Sequence, residues 1–300
     1  MWHDSHSGHV VRVALVSNAE SGSSDEQTLE EVKSILGELG EVSDVTPSSS
    51  ETFDEETRRG TEGADLIVVA GGDGTLNLVI NALGDRLGES TFGVVPMGTG
   101  NDFARTLNVP LDPVEGARHL LDAGERSIDV GRATAEGVDR LFLNACIGGF
   151  PVDVDEAVDP GLKKKIGPVA FWIGGLKAFT DMTRATVTVN GEEITDCIAV
   201  GVGNGQTCGG GVRVWPQADP GDGLLDACAM PAPTNPAALK LAAKVKAGTH
   251  TDLPEVKTTR APRITITSDP TIEFNLDGEL VNLESPATFE LVTGTQFRSH

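Results

Sequence analysis

Residues 66–83 read LIVVAGGDGTLNLVINAL. An unbroken apolar run, the mark of a strand buried on both faces, enters a cluster of three glycines around Asp73. A helix-like pattern leaves it. This is the shape of a phosphate-holding loop, yet it lacks the lysine of the common GxxxxGK[ST] loop.

The same alternation extends to both sides. VVRVALVS (10–17) reads as a strand, TLEEVKSILGELG (28–40) as a helix and EVSDVTP (41–47) as a short strand. SSSETFDEETRRG is a polar loop or a helix, and TLNLVINALGDRLG a helix. TFGVVP (91–96) is the next strand, before a helix-like NDFARTLNV. Repeated βα units imply a parallel, Rossmann-like sheet covered by helices. Ligands bind such sheets at the C-terminal ends of the strands. Three loops should share that edge: Asn18–Gly22, Gly71–Thr75 and Gly98–Asn101.

From about Ser127 the pattern changes. IDVGRATA, DRLFLNACIGG, RATVTVNGEEI, CIAVGVGNG, GLLDACAMP, RITITS, TIEFNLDGELV and ATFELVTG read as strands. Asn190-Gly191 between alternating runs signals a hairpin. The expectation is a mainly antiparallel β-sandwich broken by helical stretches at 160–182 and 235–248. The domain reading is a flexible tail over 1–9, an α/β domain over 10–126 and a sandwich domain over 127–300.

The chain has 300 residues, with 45 Asp and Glu against 23 Lys and Arg. A net charge of −22 disfavours nucleic acid as a partner and points to a salt-adapted protein, because such a surface repels itself unless ions screen it. No apolar run reaches the ~18–20 residues of a membrane span, and the N-terminus does not read as a signal peptide. A cytoplasmic place is expected. Cys146, Cys197, Cys208 and Cys228 are scattered and read as reduced thiols. His3, His6 and His9 are equally spaced and belong to the tail.

GGDGT (71–75), PMGTGNDFAR (96–105), DGLLD (222–226) and NLDGELV (275–281) occur in that order. Together they resemble the diacylglycerol kinase catalytic family, in its bacterial-type soluble lipid kinase branch, related to sphingosine and ceramide kinases. The resemblance covers nearly the whole chain. It implies ATP and Mg²⁺ in a cleft between a nucleotide domain and a β-sandwich, with a diacylglycerol-like lipid alcohol as acceptor. An ether lipid acceptor fits the salt-adapted composition. The family's NPxSG loop is Asn18-Ala19-Glu20-Ser21-Gly22 here, with alanine in place of proline.

Phosphoryl transfer needs phosphates held, charge neutralised, and an acceptor hydroxyl aligned and deprotonated. Gly71, Gly72, Gly74, Gly98 and a helix N-terminus near Thr75 suit the first need. Thr75, Thr99 and Asn101 add polar donors, Asn101 either to phosphate or to its own loop. Asn18, Ser21, Gly22, Leu76 and Asn77 complete the expected nucleotide side, and the resemblance adds Thr46. Asp73 makes sense near phosphate if it orders Mg²⁺, with a helix N-cap as the simpler reading. The resemblance makes Glu279 the catalytic base and implies a Mg²⁺ site from Asp219, Asp222 and the carbonyl of Leu224, which Asp129 connects to Asp73.

Lys163, Lys164, Lys165 and Lys177 lie near Phe171, Trp172 and Phe179, and Lys240, Lys244 and Lys246 share a second helix. They suggest a peripheral membrane-docking surface at the inner membrane. A homodimer is also allowed for. Two alternatives stand beside the lipid kinase: an NAD kinase-type phosphotransferase, and a non-catalytic nucleotide-binding regulatory protein.

Overall fold

A computed structural model describes residues 10–17, 23–149 and 183–299. Two compact units emerge: residues up to Ile128 with those from Thr293 on, and Asp129–Val292.

The first unit alternates β1 (Val11–Ser17), α1 (Ser23–Leu36), β2 (Gly40–Val45), α2 (Phe53–Gly60), β3 (Leu66–Gly71), α3 (Asp73–Leu83), β4 (Thr91–Pro96), α4 (Asp102–Thr106) and α5 (Pro113–Asp122). Strand order is β2-β1-β3-β4, and each neighbour pairs parallel. The apolar runs have the expected cause: Val13–Val16 and Leu66–Ala70 are buried throughout. Val32, Ile35 and Leu36 of α1 and Ala117 and Leu120 of α5 pack in the same cluster as β1 and β3.

The helix α5 is an addition to the sequence reading. Its start was legible: Asp112 caps it by accepting from the N–H groups of Val114 and Glu115, and Pro113 fills the first turn. The C-terminal residues are a second difference. They were assigned with the sandwich, but the 13-residue β17 (Ala287–Ser299) ends beside β4, with Gln296 and Phe297 parallel to Thr91 and Phe92. Phe297 there meets Phe92 and Phe103 at ring-centroid distances of 5.4 and 5.3 Å.

The second unit is antiparallel. After β5 (Gly124–Ala135) come β6 (Val138–Phe142), β7 (Ala145–Gly148), β8 (Ala185–Val189), β9 (Glu192–Gly203), the short β10 (Thr207–Cys208) and β11 (Val212–Arg213), and β12 (Leu225–Pro231). The helix α6 (Asn235–Lys246) precedes β13 (Lys257–Ala261), β14 (Arg263–Asp269), β15 (Phe274–Leu276) and β16 (Glu279–Val281). β12 explains the layering. Leu225, Ala227 and Ala229 enter one core, and Cys228 and Met230 the other, so alternation buries both faces. DRLFLNACIGG, read as one strand, divides into β6 and β7. TIEFNLDGELV, in which Asp277 and Glu279 bracket Gly278 at an expected turn, folds back there as the β15–β16 hairpin.

The Asn190-Gly191 turn is as expected: both residues have positive φ, 48° and 90°, and join β8 to β9. All four cysteines are free. Burial pushes the Cys197 and Cys228 thiols up to about 12, which keeps them protonated. The His3–His9 tail and the 160–182 stretch lie outside the described residues.

Candidate functional site

Parallel pairing decides where the loops of the first unit emerge. Ser17 lies opposite Ala70 across β1 and β3, and Gly71 opposite Pro96 across β3 and β4. The three strands end level, so their following loops leave one edge. Beside it Thr46 follows β2, its hydroxyl 3.2 Å from that of Ser17, a residue the sequence reading did not single out. Asn18, Ser21 and Gly22 lie outside the described residues.

At β3 the chain turns sharply into α3. Gly72 is the extended N-cap, and no side chain caps the helix. Asp73 instead reaches across to α4. Its carboxylate accepts from the Asp102 N–H at 2.9 Å and the Phe103 N–H at 3.0 Å. Burial pushes the Asp73 carboxyl up, the Phe103 and Asp102 amides pull it down, and the Asp102 charge adds to the rise. The N-cap position belongs to Gly72, not to Asp73. Each Asp73 oxygen accepts from one backbone N–H of α4, so the carboxylate staples the two loops together.

Asn101 does the same within the second loop. It adopts the left-handed conformation at φ 52°, which asparagine tolerates. Its Oδ1 accepts from the Gly98 N–H at 3.0 Å, and its Nδ2 donates to the Gly98 carbonyl at 2.7 Å. Of the two roles open to Asn101, fixing the loop is the observed one. The loops also touch directly. A Cβ on Gly98 would stand 2.5 Å from the Gly72 Cα. A Cβ on Gly71 would meet the Thr75 side chain at 2.7 Å. A Cβ on Gly74 would meet nothing within 4 Å outside its own helix backbone. Thr99 is exposed and Thr75 half-buried. Leu76 and Asn77 are buried, and the Asn77 side chain accepts from the Asn81 side chain.

In the second unit Glu279 opens β16, just past a two-residue turn at Asp277 and Gly278, whose φ values are 48° and 104°. The turn is anchored. The Asp277 carboxylate accepts from the N–H groups of Leu143, Asn144 and Ala145 at 2.6, 3.0 and 2.8 Å, in the gap between β6 and β7. A second link comes from β6: Arg140 Nη2 donates to Glu279 Oε2 at 2.7 Å. Sequence reasoning missed Arg140, which looks like an ordinary outward residue of a strand.

The loop of Asp219, Asp222 and Leu224 is largely self-satisfied. Asp219 accepts from the Gly221 N–H and Asp222 from the Leu224 N–H. Asp129 accepts from the Gly223 N–H at 2.9 Å. Burial raises the Asp129 carboxyl, and the charges of Asp222 and Asp219 raise it further. Arg260 supplies the local cation, pairing with Asp222 and, at 3.1 Å, with Asp226. Among the described residues no three His, Cys, Asp or Glu side chains are grouped to hold an ion.

The lysine-rich expectation is divided. Lys163–Lys165, Lys177, Phe171, Trp172 and Phe179 lie outside the described residues. On α6, Lys240 pairs with Glu255 at 3.1 Å, and Leu239 is 39% exposed. No helix among the described residues is long and apolar enough to cross a membrane.

The architecture is that of a two-part phosphotransferase, an α/β unit with glycine loops at its sheet edge and a β-sandwich-like unit. Residues 12–133 match the diacylglycerol kinase catalytic domain, and residues 146–295 match the YegS C-terminal NAD kinase beta sandwich-like domain. The chain belongs to the YegS-like lipid kinase family, whose members are phosphotransferases with an alcohol group as acceptor. A protein of Stenotrophomonas maltophilia named "Probable lipid kinase YegS-like" is 37% identical over 227 residues, covering 73% of this chain and 74% of that one. One of the same name from Pseudomonas putida is 36% identical, covering 72% and 71%. A crystal structure of a diacylglycerol kinase from Bacillus anthracis is 25% identical, covers 98% of each chain and has a TM-score of 0.78.

Proposed function

We propose that this protein transfers the γ-phosphoryl group of MgATP to the hydroxyl of a diradylglycerol-like lipid, diacyl or ether-linked. The observation that carries the donor side is the paired glycine loop. Asp73 and Asn101 fix the two loops, α3 begins without a side-chain cap, and the space about Gly74 is open. Backbone N–H groups at an uncapped helix start suit phosphate oxygens. Thr75, Thr99 and Thr46 offer hydroxyls on the same unit. Bound with the nucleotide, Mg²⁺ would neutralise phosphate charge; by family position Asp73 is the proposed residue toward it, with Asp219, Asp222, the Leu224 carbonyl and Asp129 as a proposed second position. Asn18, Ser21 and Gly22 remain part of the proposed nucleotide set by family position.

Glu279 is the proposed base. Its carboxylate is held by one oxygen, and Oε1 has no hydrogen-bond partner among the described residues. That oxygen takes the acceptor hydroxyl proton as the phosphoryl group arrives. Meeting such a lipid requires work at a membrane surface, for which α6, with Leu239, Lys244 and Lys246, is a candidate contact. The family matches favour this reading over the NAD kinase and the non-catalytic alternatives.

The test uses the full chain, γ-labelled MgATP at high salt, and diacylglycerol or dialkylglycerol micelles. Label should enter a solvent-extractable lipid. Glu279→Gln should lower turnover by about 10²–10⁴-fold, with ATP affinity kept within roughly twofold. ATP binding without labelled lipid, with these probes and a total lipid extract, sinks the kinase reading. Near-normal turnover in the variant sinks the assignment of the base.

A further inference from the structure

Arg140 carries an unexplained burden. Its Nε is buried with no partner among the described residues, although its Nη2 reaches Glu279 Oε2 at 2.7 Å. A buried unpaired donor destabilises a fold, and a half-exposed ion pair returns little. Both side chains of the pair are more than a third exposed, at 35% and 38%. Stability is therefore a poor explanation for the residue, and its geometry offers another. Glu279 stands at the mouth of a two-residue turn, where a glutamate has three side-chain torsions to search. The backbone of that turn is fixed by Asp277 on the amides of 143–145. The side chain is fixed by Arg140, three residues earlier on the same stretch. One segment, 140–145, thus holds both the turn and the carboxylate.

We propose that Arg140 is a positioning residue for the base. It clamps Glu279 Oε2, which leaves Oε1 as the oxygen presented to the acceptor hydroxyl. A carboxylate free to rotate would spend most of its time misaligned, and misplacement of about 1 Å can cost on the order of 10²-fold in rate. This inference rests on Glu279 being the base.

The experiment is a double-mutant cycle on the full chain with labelled MgATP and the better of the two glycerol probes. Arg140→Met should lower kcat roughly tenfold or more, while KM for ATP and for lipid stays within about twofold. In the Glu279→Gln background the same change should have no further effect, since there is no base left to position. Arg140→Lys, which keeps a cation of different shape, should recover part of kcat. Thermal unfolding of each variant, followed beside the rates, separates misfolding from misplacement, and Arg140→Lys carries the test if Arg140→Met does not fold. Equal losses from Arg140→Met in both backgrounds, or a rise in ATP KM at unchanged kcat, overturn the proposal: the guanidinium then serves the fold or the phosphates. Wild-type kcat in Arg140→Met with Glu279→Gln inactive overturns it too, while the base assignment survives. Full activity in Glu279→Gln removes the base and this inference together.

Discussion

Gly74 and Gly98 look alike in sequence but stand in opposite environments. A Cβ on Gly98 would press on the Gly72 backbone at 2.5 Å, where no flexible side chain can yield. A Cβ on Gly74 would meet nothing within 4 Å, and Gly74 lies in the first turn of α3. Gly98→Ala should therefore separate the two loops, lowering both melting temperature and ATP affinity. Gly74→Ala should leave the melting temperature unchanged or raise it, since alanine in a helix is favoured over glycine by roughly 0.5–1 kcal/mol. Its ATP affinity should nevertheless fall about tenfold, because the added methyl group occupies space a phosphate needs. Differential scanning fluorimetry and calorimetric titration with MgATP check the pair. Unchanged ATP affinity in Gly74→Ala would show that this glycine serves no ligand. The sequence displayed the glycine cluster but not its division of labour, for that depends on a neighbour 26 positions away. The partners of Asp73, the Asp102 and Phe103 amides, were hidden for the same reason: they lie on another element.

The β15–β16 hairpin is an element anchored by one side chain. Asp277 supplies the left-handed φ of 48° and accepts three backbone N–H groups between β6 and β7. Hydrogen bonds to a charged group are worth about 1.5–3 kcal/mol each, and bonds sharing one carboxylate do not simply add. Asp277→Ala should destabilise the second unit by on the order of 3 kcal/mol, with some strain from a positive φ at alanine. Asp277→Asn tolerates that φ and keeps one acceptor, so it should fall between. Hydrogen exchange at the amides of 143–145 reads the effect locally; protection that persists in Asp277→Ala would refute the anchor. This scale was the most legible from sequence where the period was local. The βα alternation and the Asn190-Gly191 hairpin needed only nearest neighbours, and both are present. The break between β6 and β7 was not legible, because Leu143 and Asn144 leave the ladder to meet a carboxylate 134 and 133 positions later.

At the scale of the molecule the charge decides. If every one of the 23 basic residues neutralised one acid, 22 carboxylates would still be unmatched. Local pairing cannot remove that excess; Arg260 already serves both Asp222 and Asp226. The remaining repulsion acts through solvent, and salt reduces it as the Debye length falls from about 10 Å at 0.1 M to about 3 Å at 1 M. The melting temperature should therefore rise steeply between millimolar salt and roughly 0.5 M, where screening changes most. Potassium chloride and sodium chloride should act alike over that range, since screening depends on ionic strength rather than ion identity. A slower rise above it would report exclusion of salt from the surface, which strengthens apolar burial instead. The two causes separate by pH as well. At pH 4, with many carboxylates neutral, the steep low-salt limb should shrink while the upper limb persists. Thermal unfolding across a salt series at both pH values decides the matter. A melting temperature flat from millimolar to molar salt at pH 7 would mean that the excess charge is spread too widely to strain the fold.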